Sequence, residues 1–388
     1  MPIINRISDF HDDMIAWRRD FHAHPELGFE EERTSDIVAA KLEEFGIEVH
    51  RGLGGTGVVG TLKNGDGQAI GLRADMDALP MTETADIAHK STTPGKMHAC
   101  GHDGHTTMLL GAARYLAETR RFKGTVHFIF QPAEEGKGGG REMVNEGLFR
   151  KFPVNSVFGM HNWPGMPLGT FAVKDGPMMA AADNFEIIIT GKGGHGALPH
   201  ACIDPVAIGA EIVGALQKIA SRTTHPVDAV VVSVTNFHAG EDFGIIPETA
   251  HLRGTVRTFR LEVQDHAEDS ITRISEGICA AHGATAEVIY TRRYPPTVND
   301  GEQAKIAGDM AAEMFGEDNV ERNPVPTMGA EDFSFMLREV PGCYIWAGAK
   351  PVDVDEVPGL HNPAYDFNDD LLCVGASYWA RLAEKVLP

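Results

Sequence analysis

The stretch "NFEIIITGK" (184–192) opens the part of the chain that decides the fold, because the patterns after it follow a recognisable order. Six segments succeed one another as strand, helix, strand, strand, helix and strand: "NFEIIITGK", "DPVAIGAEIVGALQKIA" (204–220), "DAVVVSVTNF" (228–237), "TAHLRGTVRTF" (249–259), "EVQDHAEDSITRISEGICAAHG" (262–283) and "TAEVIYTR" (285–292). This β-α-β-β-α-β order is that of the ferredoxin-like fold. The stretch therefore predicts a small α+β domain.

The segments before this domain alternate helical and strand patterns. "ERTSDIVAAKLEEFG" (32–46) predicts a helix that ends at Gly46. "QAIGLRAD" (68–75) and "GTVHFIFQ" (124–131) predict strands rich in apolar residues, with the helical pattern "HTTMLLGAARYLAETR" (105–120) between them. Such a layout is typical of an α/β domain with a largely buried, mixed central sheet flanked by helices.

The chain therefore predicts two domains, one inserted into the other. "YPPTVND" (294–300) marks a boundary, after which helical patterns return. We expect residues 1–182 and 294–388 to form one discontinuous α/β domain, and residues 183–293 to form the inserted domain. A length of 388 residues agrees with two domains rather than one.

Composition restricts the partners and the compartment. A net charge of −21 argues against nucleic acid and anionic membranes as partners. The chain start shows no apolar signal segment, and the longest apolar runs are only as long as strands, so no membrane span is expected. Five scattered cysteines, an odd number, favour free thiols in a reducing compartment, and we expect the cytoplasm.

Two common motifs of catalysis and cofactor binding are not supported. "GLGGTG" (52–57) matches the dinucleotide pattern, but the β-branched "VVGTLKNG" after it predicts a strand rather than the helix that would hold a pyrophosphate. The turn interpretation is therefore preferred. The chain contains no G-x-S-x-G pentapeptide of a serine hydrolase. A nucleophilic thiol at Cys100 remains open, but ranks below a metal site.

The metal interpretation starts from "KMHACGHDGHTTM" (96–108), in which Cys100 and His102 are two residues apart. On an extended loop their side chains point the same way, and His98 and His105 could join them. Further candidate donors follow apolar strands or lie in a Pro/Gly-rich loop: Glu134 and Glu135 in "FIFQPAEEG", His161 in "FGMHNWPG", and His361 in "PGLHNPAYDF". Donors gathered at the carboxyl ends of strands are what an open α/β sheet presents to a site.

Two further clusters have structural interpretations. In "RADMDALP" (73–80), Asp75 or Asp77 could bind a metal or contact a substrate, but orienting a histidine is favoured. In "HAHPE" (22–26), Pro25 follows His24, so we expect a helix end with local hydrogen bonds.

These residues together resemble a known family. "ACGHDGH", "QPAEEG", "GMHNWP", "GKGGHGALPH", "GAEDFSF" and "LHNP" look like the metallo-amidohydrolases related to aminoacylase and carboxypeptidase G. Within that family the chain is most similar to the branch of hippurate hydrolase, N-acyl-amino-acid amidohydrolases and plant auxin-conjugate hydrolases. The resemblance covers nearly the whole chain.

The resemblance implies a dinuclear site in the larger, catalytic domain, with the inserted domain serving as a lid and for dimerisation. Cys100 would bridge two divalent ions (Zn, Mn, Co or Ni), Glu134 would be the general base, and His195 would contact the substrate. The other implied ligands are His102, Glu135, His161 and His361. Weaker candidates for substrate binding are Asn236, Arg257 and Gly329.

The implied reaction is hydrolysis of the amide bond of an N-acyl amino acid by a metal-activated water. The implied partners are a small substrate and a second copy of the chain, as a homodimer or a dimer-based oligomer. Gly244, in "GIIP" (244–247), departs from the family's usual "N-V-I-P", so the substrate specificity of relatives is not carried over to this chain. A dipeptidase or carboxypeptidase using the same site, and a non-catalytic metal- or ligand-binding protein, stay open as alternatives.

Overall fold

The computed structural model describes residues 3–388, which divide into two compact units. The first unit comprises the residues up to Met178, Val298–Val325 and Asp332–Pro388, and the second comprises Met179–Thr297 and Pro326–Glu331. The second unit thus begins four residues before the predicted insertion, ends four residues after it, and also takes up 326–331, which we had expected in the first domain.

The strands and helices are numbered in chain order. The strands are β1 (Glu48–Leu53), β2 (Gly57–Asn64), β3 (Ala69–Asp75), β4 (Gly124–Gln131), β5 (Ser156–Pro167), β6 (Phe171–Ala172), β7 (Gly176–Met179), β8 (Ala181–Thr190), β9 (Gly194–His195), β10 (Val230–His238), β11 (Ile245–Ile246), β12 (Thr249–Thr258), β13 (Thr285–Tyr294), β14 (Thr297–Asn299), β15 (Val320–Glu321) and β16 (Gly342–Lys350). The helices are α1 (Asn5–Ser8), α2 (His11–Ala23), α3 (Glu32–Glu44), α4 (His102–Thr119), α5 (Gly139–Asn145), α6 (Leu148–Lys151), α7 (Pro205–Lys218), α8 (Leu261–Ala281), α9 (Gly301–Phe315), α10 (Ser334–Glu339) and α11 (Asp370–Val386).

The first unit is built on a mixed sheet whose strand order is β1-β2-β4-β3-β5-β16-β6-β15. Its central strands β4, β3, β5 and β16 run parallel to one another, whereas β1 and β2 are antiparallel additions at one edge. β3 and β4 are almost entirely buried, as expected for strands covered on both faces. The parallel centre therefore gathers the carboxyl ends of β3, β4 and β5 at one edge.

Helices cover this sheet and complete the core of the first unit. α4 and α11 carry apolar residues on most of their circumference, and both are largely buried. Met108, Leu109 and Trp379 pack in one apolar cluster with Leu72 and Phe128 of the sheet. The glycine pattern at 52–57 forms the turn between β1 and β2, as predicted.

The second unit is ferredoxin-like, so the predicted fold class is confirmed. Its antiparallel sheet has the order β10-β12-β8-β13, and α7 and α8 supply the two helices. Alternate residues of β8 are buried, as expected for a sheet with one covered face. Asp204 caps α7 by accepting hydrogen bonds from the backbone of Val206 and Ala207, with Pro205 as the first helical residue.

Membrane-spanning segments were not expected. Within residues 3–388, none of the helices combines the length and the apolar character that crossing a bilayer requires.

Candidate metal centre

Local structure brings the predicted donors to one edge of the first unit's sheet. Glu134 and Glu135 follow the end of β4, and His161 lies within β5. His102 is the first residue of α4, and Gly101, with φ +94°, turns the chain into that helix. Cys100 and His102 therefore lie on either side of a tight turn.

The Cys100 thiol and the His161 ring face each other. Cys100 Sγ lies 3.3 Å from His161 Nε2, and both residues are buried. Zinc–sulfur and zinc–nitrogen bonds of about 2.3 and 2.0 Å would place two ligands of one tetrahedral ion roughly 3.5 Å apart. The observed separation thus suits two ligands of the same cation.

The five predicted ligands form two overlapping groups that share Cys100. Cys100, His102 and His161 make up one group, and Cys100, Glu135 and His361 make up the other. Within each group the ligand atoms all lie within 4.8 Å of one another. Glu135 Oε1 lies 3.2 Å from His361 Nε2 and 3.9 Å from His102 Nε2.

Two of these donor atoms make no hydrogen bond within the described part of the chain. His102 Nε2 and Glu135 Oε1 are both buried and have no hydrogen-bond partner there. Buried polar atoms without partners are costly and rare. A cation bound by these donors would satisfy both atoms, so the residues present fit a site for divalent ions.

Asp77 holds several parts of this centre in place. Its Oδ1 accepts a hydrogen bond from the backbone N–H of Glu134 at 3.0 Å and lies 3.2 Å from His102 Nδ1. Its Oδ2 accepts a hydrogen bond from the backbone N–H of Glu135 at 2.9 Å. With Nδ1 facing the carboxylate, the free Nε2 of His102 is directed to the ligand cluster.

His161 and His105 are oriented by their neighbours. His161 Nδ1 lies 2.7 Å from the backbone oxygen of Asn162, so its Nε2 is left to face Cys100. His105 also clusters with Asp75 and His102, but both of its ring nitrogens are engaged. His105 Nδ1 faces Asp75 Oδ1 at 2.6 Å, and Nε2 lies 2.7 Å from Asn162 Oδ1 and 3.0 Å from the Asn162 backbone nitrogen. His105 therefore supports the centre rather than donating to it.

The electrostatics of the centre favour a cation. Burial, followed by the charges of Glu135 and Glu134, raises the pKa of the Cys100 thiol well above its usual value. Burial lowers the pKa of His102, but the charge of Asp75 and the contact with Asp77 outweigh it and raise that pKa to about 10. Burial also keeps the pKa of His161 well below its usual value. A bound cation would stabilise thiolate and neutral imidazole, so it would reverse the raised pKa values of Cys100 and His102 and keep the pKa of His161 low.

Glu134 lies beside the two ligand groups that share Cys100 but belongs to neither of them. Its carboxylate clusters with His102 and Glu135, and the residue is only 7% exposed. Glu134 Oε1 accepts a hydrogen bond from the Asp332 backbone at 3.4 Å. Ala133, immediately before it, has φ +54°, which turns the chain sharply after β4. The two neighbouring glutamates thus have different surroundings.

The remaining predicted site residues lie in the second unit. His195 is exposed and pairs with Ile245 across the short β9–β11 ribbon. Arg257, in β12, lines a cavity of about 500 Å³ with Thr235 and Arg253. Asn236, in β10, has a buried Oδ1 without a partner in the described residues, and the Gly329 carbonyl accepts a hydrogen bond from Ala180. Their roles as substrate contacts remain predictions.

Two supporting residues were not found from the sequence. Glu31 is buried, and its Oε1 accepts a hydrogen bond from the Ala133 backbone at 2.8 Å, although "FEEER" resembles a solvated run of charge. His22 was expected to make local hydrogen bonds, and this is wrong, because its buried ring faces Asp103 Oδ2 at 2.9 Å. His24 does bond locally, to the Asp20 carbonyl. No local pattern marks either long-range contact.

Comparison with known proteins agrees with this geometry. Residues 71–385 match the model of Peptidase family M20/M25/M40. The chain is 43% identical to hippurate hydrolase of Campylobacter jejuni over 388 residues, with 100% of both chains covered. It is 40% identical to N-acetylcysteine deacetylase of Bacillus subtilis, covering 97% of this chain and 98% of that protein. A solved Bacillus subtilis structure, described as a dinuclear metal binding peptidase from the M20 family, matches with a TM-score of 0.85 and 37% identity, covering 98% and 99% of the two chains.

The fold, the donor set and these similarities define a hydrolase built around a metal centre. The chain belongs to the peptidase family M20/M25/M40. The resemblance stated from its motifs is confirmed, as is the class of metal-dependent amidohydrolase.

Proposed function

We propose that the chain hydrolyses the amide bond of N-acyl amino acids, releasing a carboxylic acid and a free amino acid. The observation that carries the proposal is the pair of donor groups that share Cys100, with the Glu134 carboxylate beside them. A site that only stored or transported metal would not need that additional carboxylate.

Cys100, His102, His161, Glu135 and His361 would hold two divalent ions, with Zn, Mn, Co and Ni as the candidates. When bound, such ions lower the pKa of a water molecule and polarise a carbonyl group.

Glu134 acts as the general base of the reaction. It takes a proton from the attacking water and delivers it to the leaving nitrogen, so that the amine departs neutral. Asp77 accepts hydrogen bonds from the backbone N–H groups of both glutamates. These bonds fix the backbone of both residues, so that Glu135 can act as a ligand while Glu134 acts as the base. His161, oriented by the Asn162 carbonyl, keeps its Nε2 available as a ligand.

The second unit supplies the substrate contacts in this proposal. His195 donates a hydrogen bond to the carbonyl oxygen as negative charge develops on it. Arg257 is suited to a substrate carboxylate because its guanidinium is partly buried in the sheet cavity. Asn236 and Gly329 are further candidates. We also propose a homodimer located in the cytoplasm, where the five free cysteines would remain reduced.

A chelation experiment combined with a substrate panel tests the proposal. Dialysis against a strong chelator should abolish hydrolysis of N-acetyl and N-benzoyl amino acids, and Mn, Co or Zn should restore it. Dipeptides serve as the comparison. Full activity in demonstrably metal-free protein would refute the metal requirement, and exclusive cleavage of dipeptides would establish a peptidase instead.

A further inference from the structure

Two tryptophans stack beside a predicted metal ligand. The rings of Trp163 and Trp346 lie 4.3 Å apart at an angle of 16°. Trp163 is two residues after His161 on β5, and Trp346 is directly opposite His161 in the parallel register of β16. Residues two apart on a strand share a face, so all three rings lie on one face of the sheet.

This pair is placed next to the reacting centre rather than in the general core. The ring centroid of Trp163 is 6.4 Å from that of His161, whose Nε2 faces Cys100. Trp346 is only 4% exposed, whereas Trp163 is partly exposed. Trp346 therefore forms the base of the stack, and Trp163 presents indole surface near the ligand cluster.

Apolar packing alone does not account for Trp346. Its buried Nε1 has no hydrogen-bond partner among residues 3–388. A phenylalanine would offer an aromatic face without this unsatisfied donor. The Trp346 ring stacks on the ring of Trp163.

We propose that Trp163, supported by Trp346, is a specificity-determining residue that stacks on an aromatic or extended apolar acyl group. This inference rests on the proposed function. Aromatic rings favour offset-stacked contacts with other flat groups. The indole surface is therefore suited to benzoyl-type acyl groups and offers little to an acetyl group.

The position of the general base indicates which side of the substrate Trp163 would contact. Glu134 clusters with His102 and Glu135, whereas His161 clusters with Cys100 and His102. In a bound substrate the leaving nitrogen would lie within reach of Glu134, and the acyl substituent would lie on the other side of the carbonyl carbon. We therefore assign Trp163, which lies beside His161, to the acyl side of the substrate.

The test compares N-benzoylglycine with N-acetylglycine in holoenzyme of the wild type, Trp163→Leu and Trp163→Met. We expect the ratio of kcat/KM for the benzoyl substrate to that for the acetyl substrate to fall about tenfold in both variants, equivalent to about 1.4 kcal/mol. Trp17→Leu is the matched control, because Trp17 is partly exposed and packs against Phe45 in the same unit. This control should leave the ratio unchanged. The metal content of each protein is measured alongside.

The outcomes separate this inference from the proposed function. If the wild type cleaves neither substrate, the proposed function fails. If it cleaves both and the ratio is unchanged in the Trp163 variants, the role of Trp163 is refuted. N-acetylphenylalanine, measured as a third substrate, varies the amino acid instead of the acyl group. If the Trp163 variants instead change the ratio of kcat/KM for N-acetylphenylalanine to that for N-acetylglycine, the acyl assignment is overturned. Loss of the metal ions in both variants would make Trp163 a structural part of the metal centre and would also overturn the proposal.

Discussion

Asp77 accepts a hydrogen bond from the backbone N–H of Glu134 at 3.0 Å, although 56 residues lie between them in the chain. The same oxygen lies 3.2 Å from His102 Nδ1, and the second oxygen accepts the backbone N–H of Glu135. One buried carboxylate thus positions the proposed base and two proposed metal ligands. Supporting partners of this kind govern ligand orientation and metal affinity.

Replacing Asp77 with asparagine should weaken metal binding about 10- to 100-fold. The amide retains one accepting oxygen, but its NH₂ group cannot accept the second backbone hydrogen bond, and the charge facing His102 is lost. A metal titration monitored by calorimetry measures the affinity. Asp66→Asn, at an exposed position, is the control. Equal affinities in Asp77→Asn and the wild type would contradict the positioning role.

Replacing each of the two neighbouring glutamates with glutamine should impair a different property of the protein. Glu134→Gln should retain both metals and the fold but lose several orders of magnitude in kcat, because glutamine cannot accept the water proton. Glu135→Gln should lose metal affinity, because a ligand oxygen is replaced by an amide. Metal analysis and steady-state kinetics on both variants check this. An empty site in Glu134→Gln would show that the roles are reversed.

A single methyl group at Gly101 should disturb the ligand turn. A Cβ there would lie 2.3 Å from Asn162 Oδ1 and 2.9 Å from the Tyr365 hydroxyl oxygen. Gly101 also has φ +94°, a backbone conformation that alanine rarely adopts. Gly95→Ala is the matched control, since Gly95 has φ +77° and no neighbouring atom within 4 Å of that Cβ. The control should lose about 1 kcal/mol of unfolding free energy, and Gly101→Ala about 1–3 kcal/mol more. Denaturant unfolding with chelator present measures both, and equal losses would argue against a steric role.

Much of the fold follows from local periodicity. "NFEIIITGK" and the segments after it carry strand and helix periods that identify the ferredoxin-like order, and the second unit has that order. "GTVHFIFQ" indicates a buried strand, and β4 is one. Such patterns show which side chains of a segment are buried, so the type of each element could be predicted.

The partners of buried polar groups could not be predicted in the same way. His22 faces Asp103, 81 residues away, and Glu31 binds the Ala133 backbone, 102 residues away. A histidine or glutamate in a polar stretch looks identical whether it is solvated or paired across the fold. Glu134, Glu135 and His161 were found because they follow apolar stretches, although His161 lies within β5 rather than at its end. The sheet order β4-β3-β5 brings these segments close together.

The stability contributed by His22 should depend on pH. Burial opposes a charge on His22, but its contacts with Asp103 and Glu83 outweigh that effect and raise its pKa to about 9. Because this pKa exceeds the unfolded value of about 6.5, the contribution is fully present below about pH 6.5 and is lost as the pH rises through about 9. His22→Gln should therefore cost about 2–3 kcal/mol at pH 6 and much less at pH 10. Denaturant unfolding at the two values tests this, and a cost that does not change with pH would contradict it.

The final prediction concerns His195 and the proposed dimer. The family resemblance implies that this histidine contributes to the site of the neighbouring subunit, and the alternative is that it serves its own chain. Glu134→Ala and His195→Ala, prepared separately, should each be nearly inactive. The two variants are then unfolded together and refolded in equal amounts.

Random pairing would make half of the dimers mixed. If sites are shared between subunits, each mixed dimer has one site with an intact Glu134 from one chain and an intact His195 from the other. One working site of two, in half of the dimers, restores about a quarter of wild-type activity. If His195 serves its own chain, no site in the mixture contains both groups, and activity stays at the level of the parent variants. That outcome, with mixed dimers shown to be present by mass spectrometry, would exclude the shared site.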